Sequence, residues 1–177
     1  MPHPTYDLLL QAGQRLAEQN GLGNMSVDAV VAEANVAKGT FYNHFQDRTA
    51  YLVALHAQFH DRVKESMLAA IADLDPGAER LRKGSLAYLN GCLQEKAVKA
   101  LLLEARSIPA IAEQVRLRNA DFTRIARLDF EALGRSHPAE SARLFVVMTA
   151  EAALMELEAG HASSVVREAL FRFLESG

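Results

Sequence analysis

The chain has 177 residues, half of them apolar and 23% charged, with a formal net charge of −3. That is a globular composition with enough length to bury a core, and it excludes a disordered polymer. No apolar run reaches the roughly 18–20 residues that a membrane span needs. The first residues lack a basic region followed by an apolar one. The single cysteine, Cys92, excludes an internal disulfide framework or a cysteine-rich zinc site. A cytoplasmic chain without membrane attachment is expected, and the small negative charge does not by itself point to nucleic acid.

Apolar residues recur at spacings of three and four throughout, the helical period, so the chain reads as all-α with about nine helices. A first helix is predicted over Thr5 to Asn20, with Leu8, Leu9, Ala12 and Leu16 inward. Gly21 stops it, and Gly23 and Asn24 form a loop. Ser26 caps a short second helix that buries Val27, Val30, Val31 and Ala34. After a turn at Asn35-Val36-Ala37 a third short helix runs from Lys38 to about Phe45. A break at Gln46-Asp47 leads into a long fourth helix, Arg48 to about Ala72, with the stripe Leu52, Leu55, Phe59, Val63, Met67 and Ala70. Further helices are predicted over Ala78 to Gln94, Lys96 to Arg106 (closed by Pro109), from there to Gly134, Pro138 to Gly160, and Ser163 to Glu175.

Residues 27–45 are the informative stretch. Two short helices joined by a tight turn make a helix-turn-helix, whose second helix enters the DNA major groove. The turn needs a residue that tolerates positive φ, and Asn35 is one of the few besides glycine. Phe41 and Phe45, four apart, face the core. Lys38, Thr40, Tyr42, Asn43 and His44 present hydrogen-bonding groups outward, and Gly39 leaves room for the backbone to approach a duplex.

The run Ser26 to Phe45, followed by Asp47-Arg48 and Leu52, resembles the DNA-binding signature of the tetracycline-repressor (TetR) family. Gly39-Thr40-Phe41-Tyr42-x-His44-Phe45 is its most specific part. Asn35 stands where that signature has glycine, Ala37 where it has a capping serine or threonine, and Arg48 where it has lysine. The resemblance implies a homodimeric regulator whose residues 1–47 bind double-stranded operator DNA and whose residues 48–177 bind a small-molecule effector and dimerise. It assigns phosphate contacts to Thr40, Tyr42, His44 and Arg48, a base edge to Lys38, and a cap with a phosphate contact to Ser26. Charge tempers this reading: residues 1–50 hold three Lys or Arg against five acids.

The C-terminal portion is less specific. Polar or soft residues on apolar stripes are the candidates for lining an effector pocket. They are His56, Phe59, Tyr88, Cys92, Arg106, Asn119, Phe122, Met148, Glu151 and Met155. Following the resemblance, the last two helices form the dimer face through Phe145, Thr149, Ala152, Val165, Val166, Ala169, Leu170 and Phe173. Glu156-Leu157-Glu158 reads as a solvated helix edge. His56 and His60 share a helix face without a third ligand, so no metal or cofactor is expected. No nucleophile–base pair, phosphate loop or paired carboxylates suggest an enzyme. The rival reading is an all-α small-molecule binding protein of the same fold with little or no specific DNA binding.

Overall fold

The computed structural model describes residues 4–20 and 25–175. The expected stop at Gly21 and the loop at Gly23 and Asn24 lie outside the described residues. Among those described there are nine α-helices and no strand: α1 (Pro4–Asn20), α2 (Val27–Ala34), α3 (Lys38–His44), α4 (Arg48–Ile71), α5 (Ala78–Gln94), α6 (Lys96–Glu104), α7 (Pro109–Ala132), α8 (Pro138–Ala159) and α9 (Ser164–Glu175). A 3-10 turn at Ala105–Ser107 ends α6, and Pro109 opens α7 rather than closing the helix before it. A proline suits that first helical position because its missing N–H has no partner to lose. No helix among the described residues is long and apolar enough to cross a membrane.

The chain divides into two compact units, Met1–Phe59 with Glu95–Gln114, and His60–Gln94 with Val115–Gly177. In the first, α1 packs on α2, α3 and α6, and α2 packs on α3. Leu9, Ala12 and Leu16 are buried as expected, joined by Leu10. Leu8 is instead 45% exposed, because 3.6 residues per turn rotates it off the face centred on Leu9 and Gly13. Tyr51 of α4 is fully buried, and its hydroxyl donates to the Leu9 carbonyl at 2.8 Å. Burial pushes that phenol's pKa up, so it stays a neutral donor. The residue beneath it must be glycine: a Cβ on Gly13 would collide with the Tyr51 hydroxyl. Phe41 and Phe45 of the third helical segment pack against the Tyr51 ring, with centroids 5.4 and 5.1 Å away. His56 and Phe59 are buried in this unit, where the Lys99 ammonium lies 5.9 Å from the Phe59 ring centroid.

In the second unit α5 packs on α8 and α8 on α9. The inward stripe of α4 continues through Val63 and Met67 to Ile71, while Ala70 is exposed. Gly160 ends α8 in the left-handed region, φ 75° and ψ 3°, its N–H bonded to the Leu157 carbonyl.

Glu156 is not on a solvated edge. It is fully buried and paired with Arg167 of α9, Nε to Oε1 at 2.7 Å and Nη2 to Oε2 at 2.9 Å. The Ser163 N–H also donates to Oε1 at 2.8 Å. Only Glu158 of that pair of acids is exposed. Burial alone would raise the Glu156 pKa, but the Arg167 and Ser163 hydrogen bonds outweigh it and hold the carboxyl below its ordinary range. The ionised form is therefore favoured by folding. Its contribution is present above the unfolded-state carboxylate pKa and is lost as pH falls through the depressed folded value. Arg167→Met is expected to destabilise the chain by about 3 kcal/mol at neutral pH, because it strands a buried carboxylate. Urea unfolding across an acid series should show that deficit shrinking as Glu156 protonates; a deficit independent of pH would contradict the assignment.

Candidate functional site

The recognition unit is built from its caps inward. Ser26 has extended backbone, and its hydroxyl accepts from the Ala29 N–H at 3.1 Å, opening α2. Asn35 closes α2 in the left-handed region, φ 53° and ψ 48°. Its N–H bonds to the Ala32 carbonyl at 3.1 Å, and the Val36 N–H to Val31 at 3.0 Å. This is the Schellman arrangement, which satisfies two end carbonyls and turns the chain sharply. Ala37 opens α3 with no side-chain cap, so a donor at that helix start is left to solvent or to a ligand. Phe41 and Phe45 are buried beneath α3. That fixes which residues face outward: Lys38, Gly39, Tyr42 and Asn43 are exposed, Thr40 and His44 half-buried. Tyr42 is 50% exposed and stands edge-on to Phe41 at 5.5 Å. The His44 ring sits edge-on to Tyr6 of α1 at 6.0 Å.

Each cation of the N-terminal 50 residues already has a partner in the chain. The Arg15 guanidinium pairs with Glu33. The Lys38 ammonium pairs with Asp28 at 2.7 Å, which raises the lysine pKa. Arg48 Nε donates to the Met25 carbonyl at 2.6 Å, joining the start of α4 to the chain before α2. Asp47 caps α4 through the Ala50 N–H at 2.8 Å. The Asp28–Lys38 and Arg48–Met25 links were not foreseen in the sequence, since ten- and 23-residue separations follow no helical period. The turn geometry brings those partners together.

Gly39 is informative for the opposite reason. A Cβ there would meet nothing within 4 Å. Neither packing nor backbone φ demands glycine at this position, while helix propensity disfavours it.

The second unit holds a cleft with a cavity volume of about 60 Å³, open to solvent. Tyr88, Asn119 and Phe122, all nominated from the sequence, line it. His56 and Phe59 belong to the core of the other unit, and Cys92 is buried away from the lining. Arg106, Glu151 and Met155 are on the surface, and Met148 is half-buried and does not line the cleft. Asp129, which like Asn119 flanks the apolar stripe of Phe122 and Phe130 and was readable from it, also lines the cleft; the lining residues not anticipated include Arg80, Ser85 and Thr149, and Arg80, amid the charges of early α5, gave no signal.

Of the dimer-face residues, Phe145, Thr149, Ala152 and Leu170 are buried within the chain's own core. They are therefore not exposed to a second copy. Val166 is half-buried, and Val165, Ala169 and Phe173 are exposed. The exposed apolar side chains of α8 are instead Leu144, Val147 and Met155. The small residues chosen for close approach in α8 are those used inside the unit.

A capped helix, a left-handed turn and a second helix with a polar outer face define a helix-turn-helix protein. Residues 9–55 match the family described as bacterial regulatory proteins, tetR family. The HTH-type transcriptional repressor NemR of Escherichia coli K12 is 31% identical over 97 residues, 52% of this chain and 45% of that repressor. The chain thus spans about half the length of the curated relatives it matches. A crystal structure of a TetR-family transcriptional regulator from Rhodococcus sp. superposes with a TM-score of 0.83 at 19% identity, covering 98% of each chain. The multidrug binding protein EbrR, complexed with imidazole, superposes at 0.79 with 21% identity, covering 98% of this chain and 96% of that one. The family match thus covers residues 9–55, and the superpositions show a shared fold over nearly the whole chain.

Two substitutions separate fold from function at α3. Gly39→Ala should raise stability by up to about 1 kcal/mol and yet weaken DNA binding, read by urea midpoint and fluorescence anisotropy. Unchanged DNA affinity would remove the close-approach role. Asp28→Asn should release Lys38 and delete a repulsive charge, so DNA affinity should rise several-fold and its salt dependence steepen. An unchanged salt slope would mean that Lys38 makes no phosphate or base contact.

Proposed function

We propose that this protein is a ligand-responsive transcriptional repressor that binds pseudo-palindromic operator DNA as a homodimer and is released by a small molecule. Residues 1–47 are the DNA-binding part and 48–177 the effector and dimer part. The observation that carries the reading is the outer face of α3, where a glycine unneeded by the fold lies among exposed Lys38, Tyr42 and Asn43. In this reading the Gly39 backbone approaches the duplex. Thr40, Tyr42 and His44 hold phosphates, the remaining Arg48 donors join them, and Lys38 exchanges Asp28 for a base edge such as guanine O6/N7. Ser26 and Asn43 flank the same contact. Two copies related by a twofold axis would set their α3 helices about 34 Å apart, one turn of DNA. Val165, Ala169 and Phe173 on α9 and the exposed apolar residues of α8 are the surface for that pairing. Likeness to the repressor NemR supports repression. Ligand release requires an effector that binds the DNA-incompetent arrangement more tightly than the competent one.

One observation favours the rival reading of a small-molecule binding protein with little DNA affinity: all three N-terminal cations have intramolecular partners. The two readings part in one experiment. Fluorescence anisotropy of the full chain against DNA from upstream of its own coding region, followed by random-site selection, should give saturable, sequence-dependent binding. Tyr42→Ala and Lys38→Ala should each weaken it about tenfold. The salt slope should be shallow, since few cations displace counterions. A folded dimer that selects no sequence would decide for the rival.

A further inference from the structure

We propose that Asp28 and Lys38 together read one G·C base pair in the major groove, Lys38 taking the guanine and Asp28 the cytosine amino group. This rests on the DNA-binding reading and names the base pair it recognises. Asp28 is the second residue of α2 and Lys38 the first of α3, so the turn at Asn35 brings two helix starts together. The Lys38 ammonium lies 2.7 Å from the Asp28 carboxylate, and the two side chains are 53% and 74% exposed. Gly39 follows, with open space where a Cβ would stand, so the pair sits where the backbone can approach a duplex.

An acid on this face needs a reason. An ionised carboxylate accepts hydrogen bonds and cannot donate them, so phosphates offer it only repulsion. When Lys38 turns from Asp28 to a guanine, the carboxylate also loses its cation. The cost of taking it out of water is then met only by a donor. In the major groove the donors are cytosine N4 and adenine N6. A G·C pair presents two acceptors, guanine N7 and O6, and then the cytosine N4 donor. O6 and N4 are bonded to each other across the base pair, at about 2.9 Å, the usual N–H···O distance. The 2.7 Å spacing of Lys38 Nζ and Asp28 Oδ1 matches it, so ammonium and carboxylate can move onto O6 and N4 side by side and stay neighbours. In an A·T pair the N6 donor lies between the acceptors N7 and O4. There the carboxylate takes N6 and leaves the ammonium one acceptor in place of two. Asp28 also suits the first turn of α2, where a negative charge faces the positive end of the helix. That role concerns stability and would not tell one base pair from another.

The test starts from random-site selection with the full chain. Fluorescence anisotropy at fixed salt then follows on the selected site and on sites altered at one base pair of one half-site. At one position the wild type should favour G·C over A·T about a hundredfold, and Asp28→Ala should cut that preference to about tenfold, the share of Lys38 alone. Lys38→Ala should lower the preference at that same position and at no other. N4-methylcytosine opposite the same guanine keeps the base pair and removes the groove-facing donor hydrogen. It should weaken the wild type about tenfold and Asp28→Ala less than twofold. Both side chains are exposed, and exposed pairs add little stability, so the variants should keep the wild-type urea midpoint. Should a variant fail to fold, the N4-methylcytosine probe on the wild type still decides. No position with a G·C preference, a preference unmoved by Asp28→Ala, or a wild type indifferent to N4-methylcytosine would each overturn the proposal and leave the DNA-binding reading in place. A folded wild type that selects no sequence would overturn both.

Discussion

The placement of α3 depends on one buried hydroxyl. Tyr51 donates to the Leu9 carbonyl from inside the first unit, and the absence of a side chain at Gly13 makes that approach possible. The same ring is the floor on which Phe41 and Phe45 rest. Three helices are thereby registered at one point: α1 supplies the acceptor, α4 the ring, and α3 with its C-terminal cap residue the two phenylalanines. A buried phenol without an acceptor would carry a desolvation penalty of roughly 1–3 kcal/mol, so this geometry excludes neighbouring registers as well as favouring its own. With α3 pinned from beneath, its outer residues have no freedom to turn inward, and the polar face follows.

That polar face is quiet in the free chain. Lys38 is tied to Asp28, Arg15 to Glu33, and Arg48 to a backbone carbonyl. Exposed pairs of this kind add little stability. In the proposed DNA-binding reading, a cation with a local partner must exchange it before it meets a phosphate. Arg48 differs from the other two. It ties the chain before α2 to the start of α4, so it positions the helix-turn-helix whether or not its remaining donors reach DNA.

The second unit uses a repeated device. Asp129 accepts from the N–H of Gly77, at the start of α5, and pairs with Arg80 one turn into that helix. Glu156 accepts from the N–H of Ser163, at the start of α9, and pairs with Arg167 one turn in. In both cases a buried carboxylate meets the positive end of a helix and a guanidinium on the same helix. Each acid therefore sets where the next helix begins and how it leans on its neighbour. The difference is location. Glu156–Arg167 is structural, whereas Arg80–Asp129 lines the cleft.

Much of this was legible before any fold was known. Helix limits followed from period and punctuation, so α2, α3 and α5 begin and end within a residue of expectation. Asn35 in the left-handed turn and Ala37 without a cap are consequences of local chemistry, which acts within four residues. The misplaced residues fall into three cases. Leu8 and Ala70 sit near the border of an apolar stripe, where a small rotation decides between core and solvent. Phe145, Thr149 and Ala152 are on an apolar face, but periodicity does not say which neighbour covers it. Glu156 looked solvated because its partner is eleven residues on, across a turn. The sequence by itself thus determined an all-helical chain and the helix-turn-helix, since both are written in contacts of short range. The pairing of Lys38 with Asp28, the place of Arg80 and Asp129 at the cleft, and the burial of Glu156 were decided only by tertiary structure. Each depends on where the fold brings opposite charges from separate helices together.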